Sequence, residues 1–376
     1  MSKNKISEKF NFLKNTDFLL TSLALLCTFC GILAIFSATR SYGTIKFVVI
    51  QSAACVIGFV LMLIISNVDF ELFMDANKYI FIGNLLLLIL VLLIGTGAES
   101  TGTKGWIDLG PVSFQPSEIA KIGFILTFAT HLMRVKNDIN YIPALLGLFL
   151  HVAIFIFLIM LQPDLGTAIV FFFIFLSMIF VAKISYKYVL IFFITLAVLA
   201  PLFWLLKDKI LSPYQIDRIL VFFDPYRDPN GSGFNVIQSE ISIGSGKLFG
   251  KGYLSGSQNQ LGYLPAKHTD FIFATIGEEW GFFGSIAIVI LLFLLVLRCI
   301  YIAATTDNVY GSFICTGISA MFLFHILENV GMCIQLMPVT GIPLPFISYG
   351  GTSLITNFMA IGFVNSVASS RHLKMF

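Results

Sequence analysis

Charge is what this 376-residue chain has least of: Asp, Glu, Lys and Arg together make up 11% of it. Soluble domains carry roughly 25%, so a globule surrounded by water is excluded. The net charge of +3 is too small, and too scattered over segment ends, for a nucleic-acid surface. Cysteines are few: Cys27, Cys30, Cys55, Cys299, Cys315 and Cys333 all fall in apolar segments, which argues against a disulfide framework. Cys27 and Cys30 form a C-x-x-C, read on a membrane helix as two small packing residues. No H-E-x-x-H, P-loop or Cys/His cluster is present, and no repeat of 20–50 residues. A cleavable leader is not expected. The first 17 residues are polar and basic, and the apolar run after them is long enough to span a membrane and lacks an evident cleavage site.

What is abundant is apolar. Hydrophobic residues make up 57% of the chain, 40 of them phenylalanine, and the mean hydropathy is +0.92. A helix needs about 20 apolar residues to cross a bilayer. Ten stretches qualify, near 18–38, 45–66, 79–95, 117–133, 143–161, 165–182, 188–206, 271–297, 310–336 and 349–369. The fourth is interrupted by Glu118, Lys121 and His131, and the fifth and sixth are divided only by Gln162-Pro163-Asp164, a helix-stop and N-cap combination. The expected fold is an all-α polytopic membrane protein of ten transmembrane helices. It forms a single domain over residues 1–376, with one large extracytoplasmic loop, 207–270, between helices seven and eight.

Orientation follows from the lysines and arginines of the short loops. With the N-terminus inside, the inner segments hold Lys3, Lys5, Lys9, Lys14, Lys78, Arg134, Lys136, Lys183, Lys187, Arg298, Arg371 and Lys374. The short outer loops hold only Arg40, Lys46 and Lys104. Both termini are therefore expected in the cytoplasm, with 96–116, 207–270 and 337–348 outside. The long loop carries apolar anchors (Tyr214, Ile219, Val221, Phe222, Phe223, Tyr253, Tyr263), so it is expected to fold, and loops of such length are usually functional.

Ionisable residues gather at the outer ends of the spans. Glu118 and Lys121, three apart, share a helix face and can pair. They are either a structural pair or part of a wet cavity. Asp164 is an N-cap, or a carboxylate lining the same cavity. Asp270 enters span eight, where an apolar neighbourhood would raise its pKa and suit it as a general base. His268 is an equal candidate. Glu278 and Glu279 lie deeper on that helix as packing anchors. His131, His151 and His325 each sit alone in apolar runs and read as packing histidines, and Glu328 with Asn329 as a helix–helix hydrogen-bonding pair. The proline- and glycine-punctuated run 341–351 is irregular backbone at the outer edge, tolerated only where protein or a cavity surrounds it.

Four outer stretches together resemble one family. They are Trp106-Ile107-Asp108-Leu109-Gly110 with Phe114-Gln115-Pro116-Ser117-Glu118-Ile119-Ala120-Lys121, then Gln162-Pro163-Asp164-Leu165-Gly166-Thr167-Ala168, then His268-Thr269-Asp270-Phe271-Ile272-Phe273-Ala274, then Pro343-Leu344-Pro345-Phe346-Ile347-Ser348-Tyr349-Gly350-Gly351. In this order they are similar to the SEDS proteins (shape, elongation, division and sporulation). Gln162 and Val339-Thr340-Gly341-Ile342-Pro343 place the chain nearer the rod-shape elongation branch than the division branch. The resemblance implies a peptidoglycan glycosyltransferase that polymerises lipid II, working with a class B penicillin-binding transpeptidase and other elongation-complex membrane proteins, with no nucleic acid involved. It implies that Asp270 is catalytic and that Glu118, Lys121 and Asp164 line the cavity, and it offers Trp106, His268 and Ser348 as further substrate contacts. Gly105, where many members have Arg, and Ala266, where many have Glu, depart from the pattern.

The implied reaction needs a base, for which Asp270 is expected. It also needs positive charge for a diphosphate leaving group, from Lys121 and a divalent cation such as Mg²⁺. The alternatives are a lipid II flippase and a non-catalytic scaffold for the transpeptidase. A flippase requires a polar path into the cytoplasmic half, and Glu328 is the only deep acidic residue expected there.

Overall fold

The computed structural model describes residues 16–97, 103–108, 110, 113–205, 207, 213–229 and 231–373. Lys3, Lys5, Lys9, Lys14, Lys374 and Leu109 lie outside the described residues, as do the side chains of Tyr214 and Arg371. Long helices lie over the apolar stretches: α1 (Phe18–Thr39), α2 (Lys46–Ser66), α3 (Asn77–Ile94), α4 (Pro116–Val135), α5 (Ile142–Met160), α6 (Leu165–Val181) and α7 (Tyr186–Leu205). Two helices follow inside the long loop, α8 (Pro213–Phe223) and α9 (Ser232–Ser245). The chain returns to the bundle with α10 (Ile272–Thr305), α11 (Val309–Cys333) and α12 (Gly351–Leu373). The strands are β1 (Ile107–Asp108) and β2 (Ser113–Phe114), an antiparallel pair with Ile107 opposite Phe114.

Local chemistry sets several helix starts. Asp17, Asp164 and Asn308 accept from the amides of Leu20, Thr167 and Gly311, satisfying donors that a helix N-terminus leaves orphaned. Pro116 and Pro143 lie in the first turns of α4 and α5, where a missing N–H costs nothing.

Polarity runs inside out. Leu93 and Phe180 are 77% and 78% exposed, while Lys121 and Glu118 are 1% and 3% exposed. That arrangement is stable only if lipid bathes the apolar exterior, and it makes the chain a multi-pass membrane protein. Among the described residues, α1, α2, α3, α5, α10 and α11 are long and apolar enough to cross a bilayer on length and composition alone. Helix α4 falls short because it carries polar residues, and the packing explains why it can. It contacts α3, α6, α11 and α12, and nearly all its side chains from Pro116 to Leu132 are buried.

The expected single span from residue 271 needs correction. Helix α10 breaks at Gly281, whose φ of 67° and ψ of −165° lie outside the helical region. Only glycine adopts such a conformation without strain. A Cβ there would approach the Gly250 amide to 2.2 Å. The segment 272–280 therefore belongs with the loop, and the apolar span proper begins at Phe282. The turn 247–252 satisfies the backbone across the break. Phe282 and Phe283 donate to the carbonyls of Lys247 and Leu248, and Lys251 and Gly252 donate to those of Glu278 and Glu279.

Glu278 and Glu279 tie this segment to the loop rather than to another spanning helix alone. Glu278 accepts from Lys251 Nζ (2.7 Å), Ser257 Oγ (3.3 Å) and the amides of Gln258 (2.8 Å) and Asn259 (3.0 Å). Glu279 accepts from Ser37 Oγ on α1 (2.6 Å), the Leu254 amide (3.2 Å) and Asn259 Nδ2 (3.0 Å). Both carboxylates are buried. Glu278→Ala removes four acceptor contacts at once. We expect the 251–260 segment to open, at a cost of at least about 1.5–3 kcal/mol, the worth of one hydrogen bond to a charge. Limited proteolysis should then cut between residues 251 and 260 in the variant. Protection equal to that of the wild type would show that the anchor is dispensable.

Candidate functional site

Five pieces of the chain converge above α4: the β1–β2 hairpin, the α5–α6 turn, residues 266–271, residues 339–353, and α8 with α9 from the long loop. They enclose a cavity of about 380 Å³. Trp106, Glu118, Lys121, Asp164 and Asp270, all expected from sequence, line it.

The floor is the pair on α4. Lys121 Nζ lies 2.8 Å from Glu118 Oε1 and 3.1 Å from His325 Nε2 of α11. An ammonium has only donors, so His325 offers the Nε2 lone pair and its proton is assigned to Nδ1. Glu118 Oε2 and His325 Nδ1 are buried without a protein hydrogen-bond partner. His325 is therefore a hydrogen-bonded histidine, as expected, and it also lines the cavity, so it does not sit alone. His131 and His151 do not either: their Nδ1 atoms are 3.2 Å apart.

Asp164 fulfils both readings of it. Its carboxylate caps α6, accepting from the Thr167 amide (2.9 Å) and Thr167 Oγ1 (2.8 Å), and it also faces the cavity. Burial pushes its pKa up. The Thr167 hydrogen bonds and the Lys121 charge oppose this, and the Glu118 charge adds to it.

Asp270 is held by its main chain. Its carbonyl accepts from Asn329 Nδ2 (2.9 Å), which also donates to the Ile342 carbonyl (2.8 Å). Asn329 thus bonds two loop backbones instead of a neighbouring helix. Ser348 Oγ donates to the Thr269 carbonyl and accepts from the Leu344 amide, both at 2.8 Å. The Tyr349 amide donates to the His268 carbonyl (2.8 Å). Residues 268–270 are thereby stapled to 342–349. The Asp270 side chain is left pointing at the cavity beside Gly341, where a Cβ would lie 3.5 Å from Oδ2. Burial raises the Asp270 pKa above the ordinary carboxylate range, and the Arg218 charge pulls it part of the way back.

Two expected contacts lie elsewhere. His268 points away from the cavity into a ring cluster, 4.8 Å from Phe47, 5.6 Å from Tyr349 and 5.8 Å from Tyr42. Burial and the adjacent Lys267 charge lower its pKa to about 4. Of the two neighbouring base candidates, Asp270 lines the cavity and His268 does not. Ser348 is buried, and its hydroxyl is engaged in the loop staple described above.

Glu328, expected to be deep, lies near the C-terminal end of α11. Its Oε1 accepts from Thr340 Oγ1 at 2.7 Å.

The residue that sequence reasoning missed is Arg218. It lines the cavity from α8, and its Nη1 donates to the Thr340 carbonyl at 3.2 Å. Its only sequence signal is one cation on an otherwise apolar face of a loop helix. Lys267, also unremarked, is fully buried. It donates to Ser41 Oγ (2.7 Å) and the Asn259 carbonyl, and lies 5.0 Å over the Tyr42 ring, so it braces the turn that carries Asp270.

Comparison with known proteins finds relatives along nearly the whole chain. The FtsW/RodA/SpoVE family model, described as a cell cycle protein, matches residues 17–373. The chain is 36% identical over 327 residues to the peptidoglycan glycosyltransferase MrdB of Escherichia coli K12, covering 84% of each chain. It is 37% identical over 363 residues to stage V sporulation protein E of Bacillus subtilis, covering 94% of this chain and 96% of that one. Among solved structures, a chain from work on the structural coordination of polymerization and crosslinking by a peptidoglycan synthase complex superposes with a TM-score of 0.81 at 32% identity. That match covers 95% of this chain and 98% of the other. The rod-shape determining protein RodA of Thermus thermophilus superposes at 0.70 with 26% identity and the same coverage.

Proposed function

The chain belongs to the SEDS family of FtsW, RodA and SpoVE proteins, and from that membership we propose that it is a peptidoglycan glycosyltransferase. It polymerises lipid II on the outer face of the cytoplasmic membrane during cell-wall elongation, as one membrane domain of ten spans with both termini in the cytoplasm. It works beside a class B penicillin-binding transpeptidase. The observation that carries the reading is a half-buried carboxylate, Asp270, sharing one outward cavity with two cations, Arg218 and Lys121.

Chemistry assigns the roles. The 4-hydroxyl of an acceptor sugar attacks the anomeric carbon of a lipid-linked donor. The new C–O bond forms as the bond to the prenyl diphosphate breaks, and the hydroxyl proton passes to Asp270. A raised pKa suits a base that must hold that proton. Arg218 and Lys121 face the negative charge that grows on the leaving diphosphate. Burial makes each cation stronger there than it would be in water. The energy is already stored in the diphosphate linkage, so no nucleotide is required. Trp106 at the mouth supplies an apolar face.

A divalent cation, Mg²⁺ in our proposal, supplies further charge to the diphosphate when bound. Among the described residues no group of three His, Cys, Asp or Glu side chains forms a metal cage. Such an ion would be held mainly by substrate phosphates and one carboxylate, and Asp164 is the residue we assign. The flippase reading loses ground: Glu328 sits at the outer end of its helix, and the charges Glu118, Lys121, Asp164 and Asp270 all gather around the one outer cavity.

The test uses the full chain reconstituted with its transpeptidase, lipid II, Mg²⁺ and a penicillin to block crosslinking. Glycan strands are expected without ATP. A folded complex that moves lipid II across the bilayer and forms no polymer would replace this function with transport.

A further inference from the structure

A second cavity of about 370 Å³ adjoins the first. Arg218, Asn235 and Val339 line both, so the two spaces share a wall. The second is built wholly outside the membrane-spanning helices, from α8, the 225–229 turn, the start of α9 and residues 335–339. Its size falls within the roughly 300–1,000 Å³ of small-ligand pockets.

We propose that this cavity is a saccharide subsite that holds the already-polymerised part of the glycan while the next bond forms at Asp270. The inference rests on the glycosyltransferase reading above. A reaction that joins two disaccharide units needs two places for sugar, and the Asp270 cavity has little room left once it holds one unit and a diphosphate.

The lining suits a neutral sugar. Asp217 and Asp228 offer acceptors for hydroxyl pairs, and Gln335 and Asn235 offer both donors and acceptors. Phe222 presents an apolar ring, set edge-on to Phe223 at 5.1 Å, against which the C–H face of a pyranose can lie. Asp217 and Asp228 repel a diphosphate, the one cation of the lining, Arg218, stands on the wall shared with the Asp270 cavity, and the position outside the membrane-spanning helices keeps the site away from a prenyl tail. A saccharide bound here therefore carries no lipid, which describes units already joined and not a fresh substrate.

The site is built, not incidental. The amides of Gly231 and Gly233 both donate to the Asp228 carbonyl (3.3 and 3.1 Å). The Asp228 carboxylate packs so closely over Gly231 that a Cβ there would lie 2.0 Å from Oδ2. The turn is thus fixed on the start of α9 with its acid at the cavity.

The experiment compares wild type, Phe222→Ala, Asp228→Asn and Gln335→Ala as full chains with the transpeptidase present and crosslinking blocked. Two quantities are read from each: the rate of the first bond between two labelled lipid II molecules, and the mean strand length at low turnover. The ratio of strand length to first-bond rate should drop about five-fold in the variants, the change produced in dissociation by losing one hydrogen bond of ordinary strength or, for Phe222→Ala, one ring contact of similar worth. An unchanged ratio in all three overturns the subsite, whether length is preserved or falls in step with the first bond. If Asp228→Asn fails to fold, Phe222→Ala and Gln335→Ala decide. A wild type that forms no bond at all overturns the glycosyltransferase reading and this inference with it, whereas normal polymer with an unchanged ratio overturns this inference alone.

Discussion

Asp270→Ala is expected to lower glycosidic bond formation by roughly 10²–10⁴-fold, the usual contribution of a positioned general base, and to leave the fold intact. The two parts of this expectation have separate causes. The fold depends on the Asp270 carbonyl, which takes the Asn329 hydrogen bond, and alanine keeps that carbonyl. The proposed chemistry depends on the carboxylate, which faces the cavity. Asp270→Asn should be equally inactive, because an amide of the same shape cannot take the proton. Both variants should still bind lipid II, so the loss should fall on kcat. Labelled lipid II converted to its first dimer reads this directly, and an asparagine variant of near wild-type rate would remove Asp270 as the base.

Lys121→Met should damage stability and activity together. Methionine fills much the same space but leaves the Glu118 carboxylate buried with no cation, and breaking one side of a buried pair costs about 3–5 kcal/mol. The double variant Glu118→Gln with Lys121→Met removes both charges. It should recover most of that stability, since neutral pairs of similar volume are well tolerated in buried sites. It should not recover activity, because the cation we assign to the diphosphate is still gone. Thermal unfolding in detergent separates the first effect and dimer formation the second. A double variant that polymerises normally would reduce the pair to structure alone.

Much of the architecture was legible because lipid enforces it. Apolar stretches of spanning length had to be helices, and helices lie over them. The stop at Gln162-Pro163-Asp164 did divide two helices, and Asp164 does cap the second. Features that depend on distant partners were not legible. Gly281 in an apolar run is a weak signal, and its break exists because the 247–252 turn docks there and takes over the backbone hydrogen bonds. Glu278 and Glu279 looked like helix-packing residues, yet most of their partners belong to a loop about 20 residues earlier in the chain. His268 and Asp270 are two apart and chemically comparable as bases. Their directions are decided by staples from Asn329, Ser348 and Tyr349, some 60 to 80 residues away. Arg218 was missed because no pattern around it distinguishes a cavity cation from a solvated one.

That cation offers the most direct test of Asp270 as the base. The measurement is the pH dependence of the bond-forming step in a single turnover at saturating lipid II, for wild type and Arg218→Ala. The proposed reaction, with Asp270 as its base, needs that carboxyl ionised, so the rate should rise with pH through its ionisation. Burial places that ionisation above the ordinary carboxylate range, and Arg218 holds it down. Removing the guanidinium should therefore move the acid limb to higher pH, besides lowering the maximum. A wild-type rate flat across the acid range, or a limb that stays put or moves down in Arg218→Ala, would contradict a proton transfer to Asp270.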